Sequence, residues 1–310
     1  MSQRPLQRST LEDHNIVYNY GTLPVERLDE LQSFMNGLIE EERLSSQETF
    51  QEYVRDAHFA LPVDFSEARS IIVFALYTPL MRATFRYEAT ATEVLVPPQY
   101  YRLGLPKDAA LNIVRSEILS SESSHIERLT QGHLKLLAVR SGLARYGRNN
   151  ISYVEGMGSF ITLAAFVTDE VLPDEWTDLG TMPQCETCTL CLDNCPTGAI
   201  RADDFVIDAG KCLTLYNEVS GDFPAWIPDN IHNAYMGCMR CQLPCPANQK
   251  VIQDAGRLPD ITDVETRAIL AGDPAAPAIA SAAEKLRIGL TDQETLGIVS
   301  RNVGALLKSG

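Results

Sequence analysis

Eight cysteines lie between residues 185 and 245 of a 310-residue chain, and none lies elsewhere. Four of them, Cys185, Cys188, Cys191 and Cys195, follow the pattern C-x2-C-x2-C-x3-C and are closed by Pro196. Three more, Cys238, Cys241 and Cys245, repeat the last two gaps and are closed by Pro246. The position that would complete the second run is Tyr235, and Cys212 stands alone between the runs. Thiols packed this densely form disulfides or bind metal. The opening MSQRPLQRSTLEDHN has no apolar export segment and no twin-arginine pair, so a cytoplasmic protein is expected, where metal is favoured over disulfides.

The choice of metal follows from spacing. Zinc sites usually come as separate C-x2-C knuckles. A C-x2-C-x2-C-x3-C-P run is the ligand loop of a bacterial [4Fe–4S] cluster, and in two-cluster ferredoxins the fourth cysteine of each run crosses to the other cluster. That rule assigns Cys185, Cys188, Cys191 and Cys245 to one cluster. It assigns Cys195, Cys212, Cys238 and Cys241 to the other, with Cys212 replacing the missing ligand at Tyr235. The count closes with no cysteine left over.

These ligands must be carried by a fold. The chain is 45% hydrophobic and 22% charged, as a globular protein is, and its length suits two domains. Its formal net charge of −15 argues against general nucleic-acid binding, which depends on Lys and Arg. The longest apolar run, 71–76, is too short to cross a bilayer, so no membrane partner is expected.

Apolar residues at 28, 31, 34/35 and 38/39 predict a helix over 25–39. Helices are also predicted over 46–58, 106–120 and 133–143. Buried strands are predicted over 70–77 and 160–168, where β-branched and aromatic residues run together. The resulting division is an α/β cofactor and substrate domain over 1–178, a double-cluster domain over 179–250, and a helical segment over 251–310.

No complete G-x-G-x-x-G and no P-loop is present, so nucleotide cofactors are not indicated. Asp56 and His58 begin a corrinoid-ligand pattern, but Leu61 replaces its glycine, and His58 reads as an ordinary helix residue. From Arg128 to Asn150 there are five cations and no carboxylate. Tyr146-Gly-Arg-Asn-Asn-Ile-Ser-Tyr153 and Gly156-Met-Gly-Ser159 follow, a set of tight turns rich in hydrogen-bond donors.

Two stretches carry a family likeness. Ser141-Gly-Leu-Ala-Arg-Tyr-Gly-Arg-Asn-Asn150 with Gly158-Ser-Phe160, and the cysteine module with Cys195-Pro-Thr-Gly-Ala-Ile200, together resemble the epoxyqueuosine reductases and the related reductive dehalogenases. The likeness runs from about residue 66 to 250 and is densest over 135–250. It implies an α+β protein: a nitroreductase-like, cobalamin-binding α/β domain, a bacterial two-[4Fe–4S] ferredoxin-like module and a short helical tail. It implies that electrons pass through the clusters to a cobalamin. Arg148 and Asn149 fall on the family's Gly-Lys-Asn positions. Arg140, Asn150, Ser152, Tyr153 and Ser159 are the further residues expected to face the cofactor.

The sequence departs from the family at one chemical point. The epoxyqueuosine enzymes carry an Asp proton donor in an Asp-(Ser/Thr)-Ala-Pro-type stretch. Here Arg128 falls near that place, beside Glu127. Candidate proton donors are therefore Tyr100, Tyr101, Glu127, Lys135 and Tyr146. Given this departure and the acidic composition, the expected activity is reduction of a small molecule, fed by an external ferredoxin or flavodoxin, with nucleic acid an unlikely partner. Two alternatives stand beside it: an electron-transfer or corrinoid-activating protein, and a tRNA epoxyqueuosine reductase.

Overall fold

The computed structural model describes every residue except 1–4, 12, 57, 102, 106, 107, 309 and 310. Along the chain run β1 (Gln7–Leu11), β2 (His14–Pro24), α1 (Leu28–Glu40), α2 (Glu48–Asp56), β3 (Ser70–Tyr77), β4 (Met81–Tyr87), β5 (Thr90–Val96) and α3 (Ala109–Ile113). Then come β6 (Ile126–Arg128), α4 (Leu134–Arg140), β7 (Arg145–Tyr146), β8 (Ser152–Tyr153) and β9 (Ile161–Thr168). The remainder holds α5 (Leu190–Asp193), α6 (Leu213–Glu218), β10 (Gly256–Arg257), α7 (Asp263–Ala271), α8 (Pro277–Leu286) and α9 (Gln293–Lys308).

Contacts divide the chain into two units that interleave along the sequence. The first comprises 1–77, 105–189 and 200–210, and the second 78–104, 190–199 and 211–310. This partition differs from the three-part division drawn from the sequence, because it places the segments 78–104 and 190–199 with the C-terminal residues.

The first unit is built on a sheet in the order β1-β2-β3-β9-β6, with every neighbour antiparallel. Strand β3 is apolar throughout because both its faces are covered. Ile71, Val73 and Ala75 join the core formed with α1 and α4, and Ile72 and Phe74 join the core formed with α3. Helix α1 buries Leu28, Leu31, Met35 and Leu38, the stripe its spacing predicts. Strand β2 lies so close to the end of α4 that a side chain at Gly21 would meet the Ser141 carbonyl oxygen at 2.6 Å. The helix predicted over 106–120 is shorter: its first two residues lie outside the described set, α3 starts at Ala109, and a π-type turn over Val114–Ile118 ends it.

The second unit packs α7, α8 and α9 on a sheet in the order β10-β4-β5. The β4–β5 hairpin was not expected from the sequence. Ala83, Phe85, Val94 and Val96 point into the core, while Arg82, Arg86 and Glu93 point away from it. The two-residue turn uses Glu88 (φ 47°) and Ala89 (φ 67°), both left-handed, without the Asn-Gly that normally announces such a turn. A tertiary contact supplies what the turn sequence lacks: the Glu88 amide donates to Asp263 Oδ1 at 2.9 Å. Replacing Ala89 by Gly removes the left-handed penalty and is expected to stabilise the protein by about 1 kcal/mol, read as a higher urea midpoint. A lower midpoint would show that the Ala89 methyl contributes packing that outweighs its strain.

Candidate metal centre

None of the eight cysteines is in a disulfide, and Cys245 is buried. Cys185 and Cys188 belong to the first unit, and the other six to the second. Within the second unit, Cys195, Cys212 and Cys238 stand within electrostatic reach of one another. Burial pushes the Cys212 thiol up, and Cys195 adds to the effect. Burial pushes Cys238 up to about 12, with Cys212 and Cys195 adding to it. Such groups ionise readily only when a cation compensates them, which is what cluster iron does for a thiolate ligand.

The surrounding backbone is already turned toward the sulfurs. Cys212 sits at the N-cap of α6, where the Leu215 amide donates to its carbonyl at 3.1 Å, and the nearby Thr214 and Leu215 groups offset part of the upward push on its thiol. The Arg240 amide donates to Cys238 Sγ at 3.5 Å. Thr197 Oγ1 lies 3.7 Å from Cys195 Sγ. N–H groups aimed at cysteine sulfur suit an electron-rich iron–sulfur site. Among the described residues no group of three His, Cys, Asp or Glu is gathered to hold a single metal ion. A four-iron cluster binds each cysteine at a separate iron, so its ligands surround the cluster instead of converging on one ion.

The first half of the first run is braced from within its own unit. Strand β7 pairs with β8, and the Met182 amide donates to the Tyr146 carbonyl at 2.8 Å. The Tyr146 ring stacks on Phe205 at 4.9 Å. Gly147 then turns the chain where a side chain would meet Asn149 Oδ1 at 2.5 Å and the Tyr153 ring at 2.7 Å. The turn delivers Arg148 to three carbonyls. Its guanidinium donates to Cys188 O at 3.3 Å, and also to Cys185 O and Ala202 O.

Other residues nominated for the cofactor also have internal partners. Asn149 Nδ2 donates to Tyr153 Oη at 2.9 Å. Asn150 (φ 60°) accepts two hydrogen bonds from Lys135 Nζ, at its carbonyl (3.0 Å) and its Oδ1 (2.8 Å). Ser152, Tyr153 and Ser159 are buried. Arg140 Nη1 donates to Thr177 O at 3.2 Å, and the guanidinium lies 4.5 Å over the Trp176 ring. Its Nε is buried without a partner among the described residues, and burial lowers its pKa.

The five nominated proton donors are divided between the two units. Tyr100 and Tyr101 belong to the second unit, and Glu127, Lys135 and Tyr146 to the first. The Tyr100 ring packs against Gly237, and the Tyr101 hydroxyl donates to the Pro79 carbonyl. Tyr146 is buried, which raises its pKa above the ordinary phenol value. Half-buried Glu127 pairs with exposed His125, Oε1 to Nε2 at 3.0 Å. His58 is exposed and its Nδ1 lies 3.2 Å from the Asp56 carbonyl, a local helix-end contact.

A family model described as a 4Fe-4S double cluster binding domain matches residues 184–248. The epoxyqueuosine reductase of Synechocystis sp. is 32% identical over 192 residues, 60% of this chain and 65% of that protein. The epoxyqueuosine reductase of Bacillus anthracis is 28% identical over 225 residues, 68% of this chain and 57% of that protein. The chain is similar in sequence to epoxyqueuosine reductases. It spans about two thirds or less of the length of these two relatives.

Solved structures support the fold. The epoxyqueuosine reductase of Streptococcus thermophilus superposes with a TM-score of 0.62 at 19% identity, over 94% of this chain and 77% of that one. An epoxyqueuosine reductase holding an epoxyqueuosine-modified tRNA stem loop superposes at 0.63, with the same identity and coverage. These relatives correct the expectation of a small-molecule substrate with nucleic acid an unlikely partner. Net charge misled because it averages the whole surface, whereas recognition depends on local charge and shape. As for a membrane, no helix among the described residues is long and apolar enough to cross one.

Two substitutions test the centre. Cys212→Ala should lose about four of the roughly eight irons expected from two four-iron clusters, and an unchanged iron content would remove Cys212 from the ligand set. Arg148→Gln should also bind less iron on reconstitution, because the carbonyls of Cys185 and Cys188 lose their shared donor. Full loading of that variant would reduce Arg148 to a surface contact.

Proposed function

We propose that this chain is an iron–sulfur reductase that removes the epoxide oxygen of epoxyqueuosine in a tRNA stem loop. The observation that carries the reading is the second-unit thiol group, Cys195, Cys212 and Cys238, with the Arg240 amide aimed at the Cys238 sulfur and the Thr197 hydroxyl beside the Cys195 sulfur. The family relationship supplies the substrate. Deoxygenating an epoxide to an alkene takes two electrons and two protons and releases the oxygen as water. Two clusters can each deliver one electron. On this reading one cluster is held by Cys185, Cys188, Cys191 and Cys245, and the other by Cys195, Cys212, Cys238 and Cys241. Functionally, 1–178 would carry the substrate, 179–250 the clusters, and 251–310 would brace them.

The nitroreductase-like, cobalamin-binding description of the N-terminal part rests on the family likeness. Several of the side chains nominated for the corrinoid already have internal partners. Arg148 is committed to the cysteine-run carbonyls, Asn149 to Tyr153, and Asn150 to Lys135. A corrinoid held by this chain would depend on other groups. Cobalamin, when bound in such a reductase, supplies a low-valent cobalt that can carry the electrons onward.

Among the nominated proton donors, Glu127 is favoured. Tyr101 and Lys135 are spent on backbone carbonyls, and Tyr146 is too buried and too weakly acidic. Glu127 keeps an exposed imidazole partner through which protons can be replaced.

The test is a single-turnover reaction of chemically reduced, cluster-loaded protein with an epoxyqueuosine-containing stem loop, followed by nucleoside mass analysis. The expected product has lost one oxygen atom. Full reduction of the clusters with an unchanged nucleoside, with and without added cobalamin, would overturn the proposal.

A further inference from the structure

The C-terminal helix carries two adjacent polar residues that its amphipathic pattern does not need. Helix α9 contributes Leu296, Val299, Val303 and Leu306 to the second-unit core, which is sufficient to hold it in place. Asn302 is fully buried in the same helix. A buried amide is costly unless every donor is used, so such a residue fixes geometry more than it adds stability.

Its donors are used. Asn302 Nδ2 donates to the carbonyls of Asn217 and Tyr235, at 2.9 Å each. Asn217, also fully buried, passes the connection on: its Nδ2 donates to the Gly237 carbonyl at 2.7 Å. Arg301 accompanies this pair. Its Nε and Nη2 hold Asn302 Oδ1 at 3.1 and 2.9 Å. Its Nη2 also takes the Tyr216 carbonyl at 2.6 Å, and Nη1 takes the carbonyls of Val219 (3.0 Å) and Gly221. These are the open carbonyls at the end of α6, which a cation at a helix C-terminus satisfies.

The connected segments frame two cysteines. Asn217 lies one helical turn and a half beyond Cys212, on the helix that Cys212 caps. Gly237 directly precedes Cys238, and its left-handed turn (φ 66°) leaves no room for a side chain beside Tyr100. The segment before it is pinned a third time, by Tyr235 Oη donating to the Tyr100 carbonyl at 2.6 Å.

We infer that Asn302, Asn217 and Arg301 form a positioning network that sets the spacing of Cys212 and Cys238 and thereby tunes one cluster of the pair. The inference rests on the ligand assignment proposed above. Cluster potential depends on burial, on hydrogen bonds to sulfur and on how ligands are held, so a shift in either segment alters one cluster selectively. None of the three residues touches a sulfur, and their role is positional.

The test compares Asn302→Ala and Asn217→Ala with the parent protein by iron analysis and redox titration followed by electron paramagnetic resonance. Cys212→Ala identifies which signal belongs to its cluster. Both network variants are expected to shift or lose that signal and to leave the other at its parental potential. If Asn302→Ala fails to fold, Asn217→Ala, which removes a single hydrogen bond at the same junction, carries the test. Parental potentials for both clusters, or equal displacement of both, would overturn the inference. A Cys212→Ala protein with its full iron would instead overturn the ligand assignment beneath it.

Discussion

Crowded, half-buried thiols are the constraint on which the rest of this structure depends. Cys212 and Cys238 lie where burial opposes ionisation, and each feels the other and Cys195. Without a compensating cation the group is electrostatically unfavourable as thiolate. With iron it is a ligand set. The nearby chain meets that requirement with an amide and a hydroxyl set against sulfur and with short turns closed by proline after each run. Isolated turns of this kind have little stability of their own, so the flanking elements must hold them.

Holding is done by polar contacts to backbone carbonyls within each unit. In the first, Arg148 gathers Cys185, Cys188 and Ala202 from a turn that only glycine at 147 permits. In the second, Arg301 and Asn302 gather the end of α6 and the approach to Cys238. The two devices share a logic. A planar, multivalent donor can bridge carbonyls from separate segments in a fixed fork geometry, which an apolar residue cannot do. The hydrophobic cores fix where the helices and sheets stand, and these donors fix the loops between them.

Legibility in the sequence followed the same division. The cysteine chemistry was readable because ligand spacing is local and the count closes. Strands β3 and β9 and helix α1 were readable because their apolar patterns are unbroken. The β4–β5 hairpin was hidden by a Glu-Ala turn that depends on Asp263, far away in sequence. Arg148 is visible as a cation beside a glycine, but nothing local to it indicates that its partners are the cysteine-run carbonyls. Asn302 and Arg301 looked like unremarkable polar residues of a tail. The small-molecule expectation rested on whole-chain charge and on the missing proton-donor Asp, neither of which reports the local surface, and a relative holding a tRNA stem loop speaks against it.

The central claim is that the eight cysteines hold two four-iron clusters. The most direct measurement is iron, acid-labile sulfide and zinc content of protein purified and reconstituted without oxygen. The account predicts about eight irons and about eight sulfides per chain, with zinc absent. Zinc bound by four-cysteine sites, with no labile sulfide and no iron uptake on reconstitution, would contradict it and leave the chain without an electron path.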